Sequence, residues 1–330
     1  MYRITILLSC LCLFLSGCGH TEKNAVLRVA HTLDDSHVVH QSLVYMGQRL
    51  SHYSNGQMSM KIYANGQLGS EREMVELLQI GSLAMTKVSA AALEGFIPEM
   101  QVFSIPYIFK NREHRWQVLQ SEIGEELLAS MKTAHLTGLG YFDAGSRSFY
   151  TCGDMVYSPK DIAGKKIRVM NSQTAIKMID AFGGAATPIS WGELYAALQQ
   201  GVVDGAENNP PSYFSSRHYE ICKQYSLNEH SSIPDVIIAS QYIFDSLTRQ
   251  QQGWLKRAMD DAVEYQKSKW LKAEEAALKA VKAKGVEVIY PDKTPFFKAV
   301  ESLHQVYDGS LIGNYLQRIK QQSNSPMGES

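Results

Sequence analysis

Two arginines lie where arginine is costly. Arg168 sits in Ile167-Arg168-Val169-Met170, and Arg147 in Gly145-Ser146-Arg147-Ser148-Phe149-Tyr150. A guanidinium in an apolar strand must find an acid or face a cleft. A structural salt bridge meets that need. So does a ligand carboxylate, because the planar fork offers it two parallel hydrogen bonds. Further on, Asp204-Gly205-Ala206-Glu207-Asn208-Asn209-Pro210-Pro211 ends a strand in polar residues and then prolines. Asparagine supplies donor and acceptor together. Open α/β sheets bind ligands at the carboxyl ends of their strands, although a plain turn has the same composition.

Catalytic signatures are missing. There is no Walker loop, zinc-protease helix or nucleophile elbow, and Gly138-Leu139-Gly140 lacks the third glycine of a dinucleotide loop. His31, His37 and His40 are numerous enough to hold zinc. A pocket wall or a surface helix is the simpler reading, and no metal, cofactor or catalytic residue is assigned. The net charge is −1, with no block of like charges, which argues against a nucleic-acid partner.

The elements that would position these groups alternate. Leu27 to Ala30 reads as a strand, and Ser36 as the cap of a helix running to about Ser54. Met58, Met60 and Ile62 alternate with polar residues as a strand does. Ser70-Glu71-Arg72-Glu73 is a capping box, Gly81 a helix stop, and Leu83 to Val88 a third strand. The pattern recurs. Ile167 to Met170 reads as a strand, Ser172 opens a helix, and Ser190-Trp191-Gly192-Glu193 forms a second box. That helix ends at Gly201, before a strand at Val202-Val203-Asp204. Two similar α/β lobes with largely parallel sheets follow. From Ser246 to Lys284 apolar residues recur at helical spacing without proline, started by Thr248 and Gln251. Roughly 36 residues at 1.5 Å each extend about 54 Å, enough to run along both lobes as a spine. Asp292 to Lys320 supplies one or two further helices, and the residues from Gln321 read as a frayed tail.

A length of 330 residues suits two domains. Arg3, the apolar run Ile4 to Ser16, and Leu15-Ser16-Gly17-Cys18 predict a lipoprotein signal peptide over 1–17, a lipid on Cys18, and a tether over 18–25. Cys152 and Cys222 remain, free or paired; sequence alone leaves both open.

Taken together, Asn65-Gly66-Gln67-Leu68-Gly69, Lys166-Ile167-Arg168-Val169, Ala196 to Asn208 and the spine helix resemble the DctP-type solute-binding proteins of TRAP transporters, the tripartite ATP-independent periplasmic systems. The resemblance runs from about Leu27 to Leu316. It implies a type II-like periplasmic binding fold, hinged, with lobe I over 26–145 plus 234–270 and lobe II over 146–233 plus 271–320. It implies capture of a small organic acid by lobe closure and delivery to membrane subunits, with a monomer as the simplest expectation. Arg168 would pair with the ligand carboxylate, Asn208 would hydrogen-bond the ligand, and Trp191 would pack on it. His31 matches a first-lobe polar contact. Lys87 and Ser89 replace residues of the sialate binders. Phe142 to Tyr150, Thr86 to Ala90 and Glu207 to Pro211 look instead like hexuronate binders. A glucuronate or galacturonate would then meet His37, Lys87, Arg147, Asn208 and Asn209 through its hydroxyls. A four-carbon dicarboxylate is the alternative, its second carboxylate neutralised by Lys87 or Arg147; a secreted lipoprotein enzyme ranks behind both.

Overall fold

The computed structural model describes residues 25–322. Cys18 and the signal-like segment lie outside them, as do residues 323–330. The first half runs β1 (Ala25–Ala30), α1 (Val38–Tyr53), β2 (Met58–Tyr63), α2 (Glu71–Gln79), β3 (Met85–Ser89), α3 (Arg112–Leu119), α4 (Glu122–Ser130) and β4 (Leu136–Phe142). Then follow β5 (Arg147–Thr151), β6 (Lys166–Val169), α5 (Gln173–Ala181), β7 (Ala185–Pro188), α6 (Trp191–Gln199), β8 (Gly205–Asn208), α7 (Pro210–Ser215) and β9 (Gln224–Ser231). The chain closes with β10 (Asp235–Ser240), α8 (Gln241–Ser246), α9 (Arg249–Ala283), β11 (Glu287–Ile289), α10 (Thr294–Gln305) and α11 (Leu311–Gln322).

Each lobe is built on the same core. The first sheet has the order β2-β1-β3-β10-β4, and the second β11-β9-β5-β8-β6-β7. In both, a parallel trio with its first strand in the middle (β2-β1-β3, β7-β6-β8) meets one antiparallel strand, β10 or β5. The recurrence read from the sequence is therefore real, and each sheet is mixed, largely parallel with one strand, β10 or β5, running against the rest. The antiparallel strands are the ones that have just crossed between lobes, through residues 143–146 and 232–234. Ser146 and Ser232 join the two crossings through their hydroxyls at 2.9 Å. Asp143 anchors the first crossing. Its carboxylate accepts from Arg112, Arg115 and the Trp116 indole, and its backbone pairs with the Gln266 amide on α9.

The spine helix α9 has 35 residues, about 52 Å. The Thr248–Gln251 capping box opens it. Leu255, Ala258, Met259 and Ala262 pack in the first lobe's core, and Val281 in the second's. Cys152 and Cys222 are joined by a disulfide within the second lobe.

Four local expectations change. His37, not Ser36, caps α1, because Asp34 captures both the hydroxyl and the backbone N–H of Ser36. Ser190 precedes α6 without a side-chain capping bond. Val202 to Asp204 is not strand. Asp204 instead takes the first N–H of β6 on its carboxylate, and β8 starts at Gly205, where a Cβ would lie 2.5 Å from the Tyr150 carbonyl. Lastly, α11 returns to the first lobe, burying Leu316 and Ile319 in its core, so 271–320 is not one second-lobe segment.

Candidate ligand site

Strand geometry aims Arg168. Ile167 and Val169 are fully buried in the second-lobe core, so period two turns Arg168 the other way. Its Nε donates to the Ile189 carbonyl at 2.8 Å, and its Cζ lies 5.7 Å from the Trp191 ring centroid. Arg168 is 2% exposed, yet it makes no ion pair among the described residues, and its buried Nη1 has no hydrogen-bond partner. Burial lowers its pKa, although a guanidinium stays charged at neutral pH. Behind it the Tyr150 hydroxyl meets His218 Nδ1 at 2.7 Å. Burial, helped by the Arg168 charge, pushes His218 down to about 3, so this imidazole adds no cation behind Arg168.

Arg147, one strand away, is in the opposite condition. Its Nε and Nη2 clasp the Glu207 carboxylate, Nη2 also donates to the Glu207 carbonyl at 2.8 Å, and Nη1 donates to Asn208 Oδ1 at 2.9 Å. Burial pushes the Glu207 carboxyl up, but Arg147 and neighbouring His230 overcome that and hold it at about 2. Asn208 Oδ1 also accepts the Asn209 N–H, so its amide NH₂ is the part left for a ligand.

The first-lobe wall comes from the ends of β3 and β10. Lys87 points out of a strand buried along its whole length, which obliges it to find acids. Its Nζ lies 3.2 Å from Glu71 Oε1 and 3.1 Å from Asp235 Oδ1. Glu71 Oε1 also accepts the Ser89 N–H at 3.2 Å. Burial pushes the Asp235 carboxyl up to about 6, against the pull of Lys87.

Between these walls is a cavity of about 530 Å³, within the range of small-molecule sites. It touches Lys87, Ser89, Arg168, Trp191, Asn208 and Asn209 at the carboxyl ends of β3, β6 and β8. The lobes also meet beside it. Glu94, following β3, accepts the Ser172 hydroxyl at 2.6 Å and both the N–H and hydroxyl of Thr174 at 3.3 Å, at the N-terminus of α5.

Residues 29–310 match the family model described as bacterial extracellular solute-binding protein, family 7, or DctP. The chain belongs to the DctP family of TRAP solute-binding proteins. It is 37% identical to the uncharacterized protein YiiZ of Salmonella typhimurium, over 94% of this chain and 95% of that one. A TRAP periplasmic solute-binding protein of Bradyrhizobium, solved with α/β-D-galacturonate, superposes with a TM-score of 0.87 at 37% identity, covering 89% and 99% of the two chains. One from Pseudomonas putida, solved with D-glucuronate, superposes with a TM-score of 0.87 at 33% identity, covering 92% and 98%.

In this DctP-family chain, Arg168, Arg147, Asn208, Lys87, Ser89, Trp191 and Asn209 all reach the cavity. His31 and His37 do not line it. His31 is buried against His40, Nε2 to Nδ1, at 3.0 Å. His37 uses Nδ1 to cap α1 and points Nε2 at Ser212 Oγ, 3.3 Å away in the other lobe. Both are pushed down to about 3, largely by burial and then by the Lys87 charge. Both side-chain polar atoms of Asn209 are already engaged, its Oδ1 capping α7 through the Ser212 N–H and its Nδ2 donating to the Ala144 carbonyl. Arg147 and Lys87, expected to be available to hydroxyls or to a second carboxylate, are already paired with acids. Sequence reasoning missed Glu71, Glu94 and Asp235. Glu71 sits inside a recognisable capping box, which hid its second use.

Proposed function

We propose that this chain is the extracytoplasmic receptor of a TRAP transporter and that it captures a hexuronate of the D-glucuronate or D-galacturonate type. One observation carries the reading: of the buried cations on the cavity wall, Lys87 and Arg147 are neutralised by protein carboxylates, whereas Arg168 has none. A ligand with one carboxylate completes that set. The four-carbon dicarboxylate loses its support for the same reason, because the two cations it would need are occupied. The solved relatives holding galacturonate and glucuronate point the same way.

The ligand carboxylate docks on Arg168, with Trp191 beside it and the Asn208 amide as a further donor. Lys87 and Ser89 then approach from the first lobe, and contacts made only when the lobes meet favour the closed form. The ligand is released unchanged to the membrane subunits, with no chemistry performed. A lipid on Cys18 holds a monomeric receptor at a bacterial membrane.

Thermal-shift and calorimetric titration with D-glucuronate, D-galacturonate, sialate and succinate test this. Stabilisation by the uronates, growing with ligand concentration, is expected. Mass spectrometry after incubation should recover the uronate intact. A shift with succinate and none with either uronate would overturn the reading.

A further inference from the structure

We propose that Glu71, Lys87 and Asp235 form a selecting wall that reads ligand hydroxyls and rejects a second carboxylate. The inference rests on the hexuronate reading and names what that reading leaves open: how the first lobe tells a sugar acid from a diacid.

The wall holds two carboxylates around a single ammonium, and all three residues face the cavity. Lys87 Nζ bonds one oxygen of each acid, Glu71 Oε1 and Asp235 Oδ1. The Ser89 N–H adds to the first of these. Among the described residues no protein donor reaches Glu71 Oε2 or Asp235 Oδ2. Both oxygens are open to the cavity rather than sealed in the core. A ligand that displaces water from two carboxylate oxygens on one cavity wall must supply donors in its place. Hydroxyls fit. A second ligand carboxylate has no proton to give and would meet an excess negative charge at short range in a buried site.

Burial, and after it the Glu71 charge, raises the Asp235 carboxyl to about 6. Across the cavity, Arg168 is the complementary half, a buried cation without an acid. Polarity across the cleft would therefore fix which end of the ligand faces which lobe.

Calorimetry on the full chain, Glu71→Gln and Asp235→Asn tests this with D-glucuronate, D-gluconate, D-glucarate and succinate. Each variant keeps one acid on Lys87, so the ammonium is not stranded. The unsubstituted chain is expected to take a hydroxylated monoacid at least a hundredfold more tightly than either diacid. Each variant should weaken the monoacid at least tenfold and narrow its margin over the diacids. A merely structural role would lower both ligand classes together and leave that margin unchanged, which overturns the proposal. So does a chain that binds a diacid as tightly as any monoacid, or that takes no hydroxylated monoacid at all. Preference for gluconate over glucuronate would sink the hexuronate reading while the margin still measures the wall.

Discussion

The two walls of the cleft grow from the same β-α-β-α-β frame and carry opposite electrostatics. In the second lobe the end of β6 delivers Arg168, buried and without an acid. In the first lobe the end of β3 delivers Lys87, buried and held by two acids. The lesson is that a fold repeated within one chain fixes where side chains gather, not what they ask of a ligand. A sharper contrast lies inside the second lobe. Arg147 and Arg168 are equally buried, but Glu207 has turned Arg147 into part of the protein's own core. Breaking these two arginines should therefore produce different symptoms.

The largest effect is expected from Arg147→Ala, which strands Glu207 as an unpaired buried charge. Losing one partner of a buried pair costs about 3–5 kcal/mol, and chemical denaturation of the ligand-free protein should register it. Arg168→Ala, measured in the same way, should leave ligand-free stability unchanged or raised, because it removes a buried charge that has no acid. Equal destabilisation by the two substitutions would erase the distinction drawn here.

Binding should separate the pair in the other direction. Arg168→Ala is expected to cost about 2–5 kcal/mol of uronate affinity in calorimetry, as for truncating a buried charge partner. That is roughly thirty-fold to several thousand-fold. Retention of full affinity would remove Arg168 from the ligand's path.

Between the lobes the expected effect is smaller. Glu94 brings a carboxylate from the first lobe to the N-terminus of α5 in the second, where the helix dipole favours negative charge. Glu94→Gln keeps one acceptor oxygen, replaces the other with an NH₂ donor and removes the charge. A loss of about 1–2 kcal/mol in ligand affinity is expected, with small-angle scattering showing a more open ligand-free ensemble. Unaltered affinity and an unaltered scattering profile would confine Glu94 to a local capping role.

The two arginines also show what the sequence discloses. Each could be recognised as an arginine in need of an acid, because the apolar neighbours are adjacent in the chain. Which one had its acid depended on β5 lying against β8, which brings Glu207 to Arg147 from 60 residues away. Lys87 carries the same lesson, its partners lying 16 and 148 residues distant. The lobes, the spine helix and the capping boxes at Ser70 and Thr248 were legible because they rest on local spacing. His37, expected at the ligand, misled because Asp34 captures Ser36, the expected cap, and leaves His37 to cap α1. The return of α11 to the first lobe was hidden because an amphipathic stripe states that a helix packs, not on what.

The smallest effect tests how far the second-lobe wall depends on its aromatic neighbour. Trp191 opens α6, and the Arg168 guanidinium sits 5.7 Å from its ring. A cation over an aromatic face gains about 0.5–2 kcal/mol, most with tryptophan and more when desolvated. Trp191→Phe keeps a face and should cost uronate binding less than about 1 kcal/mol. Trp191→Leu removes the π system while retaining an apolar side chain, and should cost more than Phe. If Leu and Phe bind the uronate equally, the ring serves only as apolar filling, and the Ile189 carbonyl with the strand backbone is what holds Arg168 in place.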